Sequence, residues 1–206
     1  MDGETGGAVL SEDGRYRYRL WRTWDASLPR IGFIMLNPSS ADGDRDDPTL
    51  RRCRAFAKRW GFGSVELANL FAVRSVEPSS LRTCRDALGA DNEGYLLNLA
   101  GTVDTVVAAW GNGGAWKDRG RHVRKMLGEY PLFCLGVTSR GEPRHPLYVQ
   151  SDTLLTQLNY ETVISTRVAG LPPSVPTANA WPLTTIAIAE PARLAQSSPP
   201  LGKSTR

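Results

Sequence analysis

The residues of this chain best suited to chemistry lie in four short polar segments, called here the polar tips, each of which follows an apolar segment. They are Leu36-Asn37-Pro38-Ser39, Leu67-Ala68-Asn69, Ala109-Trp110-Gly111-Asn112 and Arg144-His145-Pro146-Leu147-Tyr148. In an open α/β sheet, ligands bind beyond the carboxyl ends of the strands, where such tips meet. The ordered set therefore predicts one site along one edge of a sheet.

Three of these tips offer different groups to a ligand. The amide of Asn37 can hold a water or a ligand oxygen, or Asn37 only opens a turn with Pro38. Asn69 interrupts a strand, where an unpaired amide costs about 1–3 kcal/mol. Its donor and acceptor suit the edge of a nucleobase, and the alternative is that loop backbone satisfies them. His145 can donate to an oxygen that gains charge in a transition state.

The glycine-rich tip Trp110-Gly111-Asn112-Gly113-Gly114 lies between a predicted strand and a predicted helix. Glycines there let backbone N–H groups approach an anion at the start of a helix, and basic residues follow at Lys117, Arg119, Arg121 and Arg124. The alternative is a tight turn followed by a solvated basic face.

An acidic cluster follows the first tip, at Asp42, Asp44, Asp46 and Asp47. It lacks the spacing of a calcium loop, so no metal site is predicted. Asp47 can cap the helix that Pro48 begins, an acid of the cluster can pair with the arginines of that helix, or Asp46 or Asp47 can activate a water. We therefore group Asp47 with Asn37 and His145 as candidate catalytic residues.

Composition and charge narrow the functional classes. Half of the formal net charge of +4 comes from residues 161–206, so a general nucleic-acid binder is disfavoured and any such contact depends on local clusters. The three scattered cysteines form no CxxC pair, which argues against a thiolate metal site. No apolar run reaches the roughly 18 residues of a membrane span, and the polar N-terminus shows no secretory signal. We expect a cytoplasmic protein.

Strands alternate with helical segments along the chain, which is the signature of βαβ units. The predicted strands cover 15–24, 31–36, 65–73, 102–110 and 131–135, and the predicted helices cover 48–60, 78–100 in two pieces, 115–129 and 149–158. This pattern predicts an α/β fold whose mostly parallel central sheet has helices on both faces. We expect a flexible lead over 1–14, a single domain over 15–160, and a disordered Pro/Ser-rich tail over 161–206.

Two resemblances rest on these motifs. The run Asn37-Pro38-Ser39, Asp46-Asp47-Pro48-Thr49, Asn69-Leu70-Phe71-Ala72, Trp110-Gly111-Asn112 and Arg144 to Tyr148 resembles a bacterial and phage domain family of unknown function. The order of motifs also remotely resembles the uracil-DNA glycosylase superfamily. There, strands end in Asn-Pro, in a base-reading Asn and in Trp-Gly, and a His-Pro loop closes the set.

The second resemblance implies a three-layer α/β/α sandwich and a pocket for an extruded base. It implies that Asn37 positions water, Asn69 reads the base and His145 stabilises charge on a base oxygen. Further substrate contacts are expected from Pro38, Ser39, Trp110, Gly111, Asn112 and Tyr148, and nucleic-acid contacts from Arg51, Arg52, Lys117 and Arg144.

The expected function is hydrolysis of an N-glycosidic bond in DNA or a nucleotide by a monomer without metal or cofactor. Two alternatives are a non-catalytic module that binds a nucleotide or nucleic acid, and a scaffold whose motifs only support the sheet edge. If the basic residues share a face with the pocket, a nucleic-acid partner is favoured.

Overall fold

The computed structural model describes residues 3–158, except 40, 42, 44 and 76–79. This part of the chain forms seven strands and three α-helices. The strands are β1 (Thr5–Leu10), β2 (Arg17–Thr23), β3 (Arg30–Met35), β4 (Ser64–Asn69), β5 (Thr105–Ala108), β6 (Leu132–Cys134) and β7 (Thr156–Gln157). The helices are α1 (Pro48–Arg59), α2 (Asn92–Thr102) and α3 (Arg119–Met126), with 3-10 helices at Ser80–Thr83, Gly111–Asp118 and Pro146–Tyr148.

All seven strands form one mixed sheet in the order β1-β2-β4-β3-β5-β6-β7. The inner strands β4, β3, β5 and β6 are parallel to one another. Antiparallel pairings join β1 to β2, β2 to β4 and β6 to β7. The fold is therefore α/β as predicted, but the sheet is mixed, because both edges carry antiparallel strands that the sequence analysis did not include or orient.

Alternation along β3 divides the core between the two faces of the sheet. Ile31, Phe33 and Met35 pack with the buried side of α1, whereas Ile34 packs with α2 and α3. Both groups are almost fully buried, which explains why β3 reads as a continuous apolar run.

Helix α1 begins and faces the sheet for the reasons visible in its sequence. The Asp47 carboxylate accepts a hydrogen bond from the Leu50 N–H (2.7 Å), and Pro48 occupies the first turn. Its buried residues repeat at helical spacing, at Leu50, Cys53, Phe56 and Ala57. The predicted cap and apolar stripe are thus both present.

Three segments differ from the expectation. Residues 5–10 of the predicted flexible lead form strand β1, because β2 offers them a full ladder of backbone partners. The predicted helix over 149–158 is absent, and β7 pairs there with β6. The predicted helix over 115–129 begins only at Arg119, because Trp116 leaves helical geometry and Lys117 and Asp118 have positive φ.

Within the described residues, no helix is long and apolar enough to cross a membrane. Cys53 and Cys134 are buried and unbridged, and burial raises the pKa of the Cys53 thiol. The predicted Pro/Ser-rich tail, residues 161–206, lies outside the described residues.

Candidate functional site

The predicted tips meet in one cavity of about 380 Å³, called here the main cavity. Ten residues were predicted to catalyse or to bind substrate, and the lining includes nine of them, all except Pro38: Asn37, Ser39, Asp47, Asn69, Trp110, Gly111, Asn112, His145 and Tyr148. Pro38 is buried behind this wall, and its carbonyl accepts from the Ser75 N–H (3.0 Å). The predicted tips thus lie together at one edge of the sheet.

The strand order explains why this cavity forms where it does. The connection after β3 runs through α1 to β4 on one side, and the connection after β5 runs through α3 to β6 on the other. β3 and β5 are neighbours, so their following segments diverge and leave a crevice beyond their carboxyl ends. Asn37 follows β3, Trp110 follows β5, and Asn69 ends the adjacent strand β4.

Asn69 is the most unusual polar residue of the cavity. Its side chain is only 2% exposed, and Oδ1 has no hydrogen-bond partner within the described residues. Its backbone is held firmly, because the Asn92 Nδ2 donates to the carbonyls of Asn69 (3.1 Å) and Leu70 (3.0 Å). The Arg119 Nε also donates to the Leu70 carbonyl (3.0 Å). Asn69 therefore lines the main cavity on a firmly held backbone, with a buried amide oxygen that has no partner within the described residues.

Asn37 uses its amide nitrogen for structure. Nδ2 donates to the carbonyls of Pro38 (3.1 Å) and Ser75 (3.0 Å), which ties the loop after β3 to the segment after β4. Within the described residues, Oδ1 makes no hydrogen bond. Asn37 can therefore accept a hydrogen bond from a water or ligand but cannot donate one without breaking these contacts.

The two acids at the start of α1 have separate roles. Asp46 lies outside the main cavity and forms ion pairs with Arg22 (3.0 Å) and Arg54. Asp47 is 7% exposed, lines the cavity and uses one carboxylate oxygen as the cap of α1. Among the described residues, no group of three or more His, Cys, Asp or Glu side chains could hold a metal. Only Asp47 of this pair is positioned to act on a ligand.

His145 is half-buried between the end of β6 and the cavity. Its Nδ1 accepts from the Leu147 N–H (3.3 Å), so the proton of the neutral ring lies on Nε2. Burial lowers the pKa of His145, and the nearby Asp47 carboxylate raises it in part. The centroid of the His145 ring lies 5.5 Å from the centroid of the Tyr148 ring, and Tyr148 is 80% exposed. The site therefore has a neutral imidazole donor beside an exposed aromatic ring.

The Trp110 tip forms a wall of the cavity rather than an anion cradle. The indole Nε1 donates to the Glu142 carboxylate (2.8 Å), and the Gly111 N–H donates to the Pro143 carbonyl (2.8 Å). A Cβ at Gly114 would lie 2.0 Å from the indole, so this glycine is required by packing. Because the Gly111 N–H already has a backbone partner, the alternative of a tight turn is favoured over an anion site at this position.

The predicted nucleic-acid contacts lie in different surroundings. The Arg52 guanidinium donates to the Val149 carbonyl (2.7 Å), and that of Arg51 donates to the Asp46 carbonyl (2.6 Å). Lys117 lies over the Trp116 ring, with Nζ 4.8 Å from its centroid. Arg144 is exposed and lines a second cavity. Arg52 thus holds the segment after His145 in place, and Arg144 is the nearest of the four to a ligand space.

This second cavity, called here the side cavity, has a volume of about 480 Å³. It shares four lining residues with the main cavity, Gly111, Asn112, His145 and Tyr148. Its other lining residues are Thr138, Ser139 and Arg144. The two cavities are therefore adjacent, and His145 lines both of them.

Arg17 is a cavity residue that the sequence analysis missed. It is 4% exposed at the start of β2, and its Nη1 donates to the Ala41 carbonyl (2.5 Å). Strand β2 lies antiparallel beside β4, and the Arg17 N–H donates to the Ala72 carbonyl (2.9 Å) in the segment after β4, next to the cavity. No local signal in the sequence indicates this, because the pairing is a tertiary feature.

Fold and site together define an α/β protein with a cavity of mixed polar and apolar lining at the switch point of its sheet. The chain belongs to the family described as "Protein of unknown function (DUF1643)", whose model matches residues 17–147. The resemblance to a domain family of unknown function is therefore confirmed. No curated protein and no solved structure matches the chain, so the resemblance to uracil-DNA glycosylases gains no support from these comparisons.

Proposed function

We propose that the main cavity binds a nucleobase and that the protein hydrolyses the N-glycosidic bond to that base, in DNA or in a nucleotide. The observation that carries the proposal is the buried Oδ1 of Asn69, which has no partner within the described residues. Leaving such an acceptor unpaired costs about 1–3 kcal/mol, so a ligand that donates to it regains this energy. A side-chain amide also matches the paired donors and acceptors of a base edge.

The chemistry would be divided among three side chains. The free oxygen of Asp47 accepts a proton from water while the Asn37 Oδ1 orients that water. The water oxygen bonds to C1′, the bond from C1′ to the base nitrogen breaks, and the base leaves with the electron pair. The neutral Nε2–H of His145 donates to the base oxygen on which charge develops.

The fold supports this proposal in a general way. Helix α1 packs against one face of the sheet and α2 and α3 against the other, which suits a three-layer α/β/α sandwich of the glycosylase kind. Fold does not determine function, so the weight lies on the cavity residues. A cytoplasmic location and a monomeric state stay predictions from the sequence.

A base-release screen with mass-spectrometric detection tests the proposal. The substrates are single-stranded and duplex oligonucleotides and nucleotides that contain uracil, mismatched, deaminated or hypermodified bases. For an active substrate, Asp47→Asn should lower the rate by about 10²–10⁴-fold, because Asn still caps a helix but cannot accept the proton. His145→Ala and Asn37→Ala should also abolish release.

The matched control is Asp46→Asn, which removes a neighbouring charge outside the cavity. Each variant is checked for folding by circular dichroism and thermal unfolding. A rate that falls equally in Asp46→Asn and Asp47→Asn would argue against Asp47 as the base. Absence of release from the whole panel would reject the hydrolase.

The second candidate is a non-catalytic module that binds a nucleotide or nucleic acid. It is favoured by Asn37, whose amide nitrogen is occupied by the Pro38 and Ser75 carbonyls. These two bonds give Asn37 a structural role in the loop after β3, which accounts for the residue without catalysis. Nucleotide binding in calorimetry without base release would support this candidate, and loss of that binding in Asn69→Leu would locate it in the main cavity.

A further inference from the structure

We propose that the side cavity is a phosphate subsite, which binds the phosphate of a nucleotide whose base occupies the main cavity. This inference rests on the proposed base-binding function and adds the class of ligand. It distinguishes a nucleotide from a free base or nucleoside. The phosphate belongs either to a mononucleotide or to a single strand, since both present the same group to the protein.

The lining of the side cavity carries a cation and no acid. Arg144 is fixed at its base, because its N–H donates to the Gly136 carbonyl (2.9 Å) and its Nε to the Val137 carbonyl (3.0 Å). Its two terminal nitrogens make no hydrogen bond or ion pair within the described residues. None of the described residues that line this cavity has a carboxylate. A guanidinium held in this way is suited to an oxyanion.

Neutral donors complete the subsite. The Thr138 hydroxyl donates to Asn112 Oδ1 (2.7 Å), so the Asn112 Nδ2 points away from this bond with its hydrogens unused within the described residues. The exposed Ser139 adds a hydroxyl. Charged and neutral donors therefore line the same space, which is how proteins bind phosphate.

The position of the subsite relative to the main cavity fits a nucleotide. The two cavities share His145 and Tyr148, so the sugar would pass between these rings and carry the phosphate towards Arg144. The 80% exposed ring of Tyr148 offers a stacking surface at this passage. The glutamate of the same segment, Glu142, is buried against Trp110, whose indole N–H donates to it (2.8 Å), and it does not line the side cavity.

Calorimetric titration of the full chain tests the inference. The probes are the deoxynucleosides, including deoxyuridine, their 3′- and 5′-monophosphates, and single-stranded trinucleotides. We expect a monophosphate or a trinucleotide to bind about tenfold more tightly than its nucleoside, as one charge-assisted contact provides. If the trinucleotide binds more tightly than the monophosphate, the phosphate belongs to a single strand. If the trinucleotide and the monophosphate bind with equal affinity, it belongs to a mononucleotide.

The variants separate this inference from the base-binding function. Arg144→Gln should remove the preference for the phosphorylated probe and leave nucleoside affinity unchanged, and Arg144→Lys should keep part of it. Arg140→Gln is the matched control, because Arg140 is an exposed arginine of the same loop outside the lining. Equal binding of nucleoside and nucleotide, or a preference that survives Arg144→Gln, would overturn the subsite alone. Failure of every probe to bind would reject base binding and the subsite together.

Discussion

Replacing Asn69 by leucine should make the protein more stable and unable to bind its ligand. Leucine has nearly the same shape as asparagine and removes the buried Oδ1 that lacks a partner within the described residues. An unpaired buried carbonyl costs about 1–3 kcal/mol, and part of this gain is offset by imperfect packing at the cavity wall. We therefore expect the free energy of unfolding to rise by about 1 kcal/mol.

Urea denaturation followed by circular dichroism measures this change. With a denaturant slope of about 2 kcal/mol per molar, the midpoint of Asn69→Leu should rise by about 0.5 M. A gain in stability with a loss of binding is the expected signature of a residue retained for function.

The matched control is Asn92→Leu, because Asn92 is also a buried asparagine with an unpaired Oδ1. Its Nδ2, in contrast, donates to the carbonyls of Asn69 and Leu70. Losing these bonds should lower the free energy of unfolding by about 1–3 kcal/mol. If both substitutions destabilise the protein equally, Asn69 is a structural residue and the reasoning fails.

Further predictions concern the ring at the cavity and the packing behind it. Burial lowers the pKa of His145 below its value of about 6.5 in the unfolded chain, and the Asp47 charge opposes this only in part. The unfolded chain therefore binds the proton more readily than the folded protein. The free energy of unfolding should be highest above pH 6.5 and should decline as the pH falls below that value. His145→Gln should remove that slope from the pH dependence of unfolding. Gly114→Ala should lower the free energy of unfolding by about 1–3 kcal/mol, because its Cβ would lie 2.0 Å from the Trp110 indole. The control is Gly94→Ala on helix α2, where no atom lies within 4 Å of the new Cβ, and it should raise the free energy of unfolding by up to about 1 kcal/mol. If Gly94→Ala destabilised the protein and Gly114→Ala did not, the packing described for Gly114 would be wrong.

The sequence predicted those elements whose causes are local. Helix α1 was foreseen because its cap, its first-turn proline and its apolar stripe all lie within one segment. The strands β3 and β5 were foreseen because central strands are apolar on both faces. The meeting of the polar tips followed from these elements, because parallel strands direct their carboxyl ends to one edge.

Features that depend on distant pairing could not be predicted in this way. Strand β1 has a glycine-containing sequence of low strand propensity, and it forms because β2 offers its edge. Arg17 lines the cavity because β2 lies antiparallel beside β4 and the Arg17 N–H donates to the Ala72 carbonyl (2.9 Å) beyond that strand. The start of α3 at Arg119 depends on a positive φ at Lys117 and Asp118, which a non-glycine residue adopts only in a fixed tertiary setting.

The structure also separates capping from charge at Asp47. Capping of α1 needs one oxygen acceptor, and asparagine or serine supplies it about as well as aspartate. A charge on a residue that is only 7% exposed carries a desolvation cost that capping alone does not require. The charge of the neighbouring acid, Asp46, is stabilised by ion pairs with Arg22 and Arg54. Asp47, in contrast, lines the main cavity together with His145. The proposed role of Asp47 as the base that activates water would account for this charge, which the cap of α1 does not require.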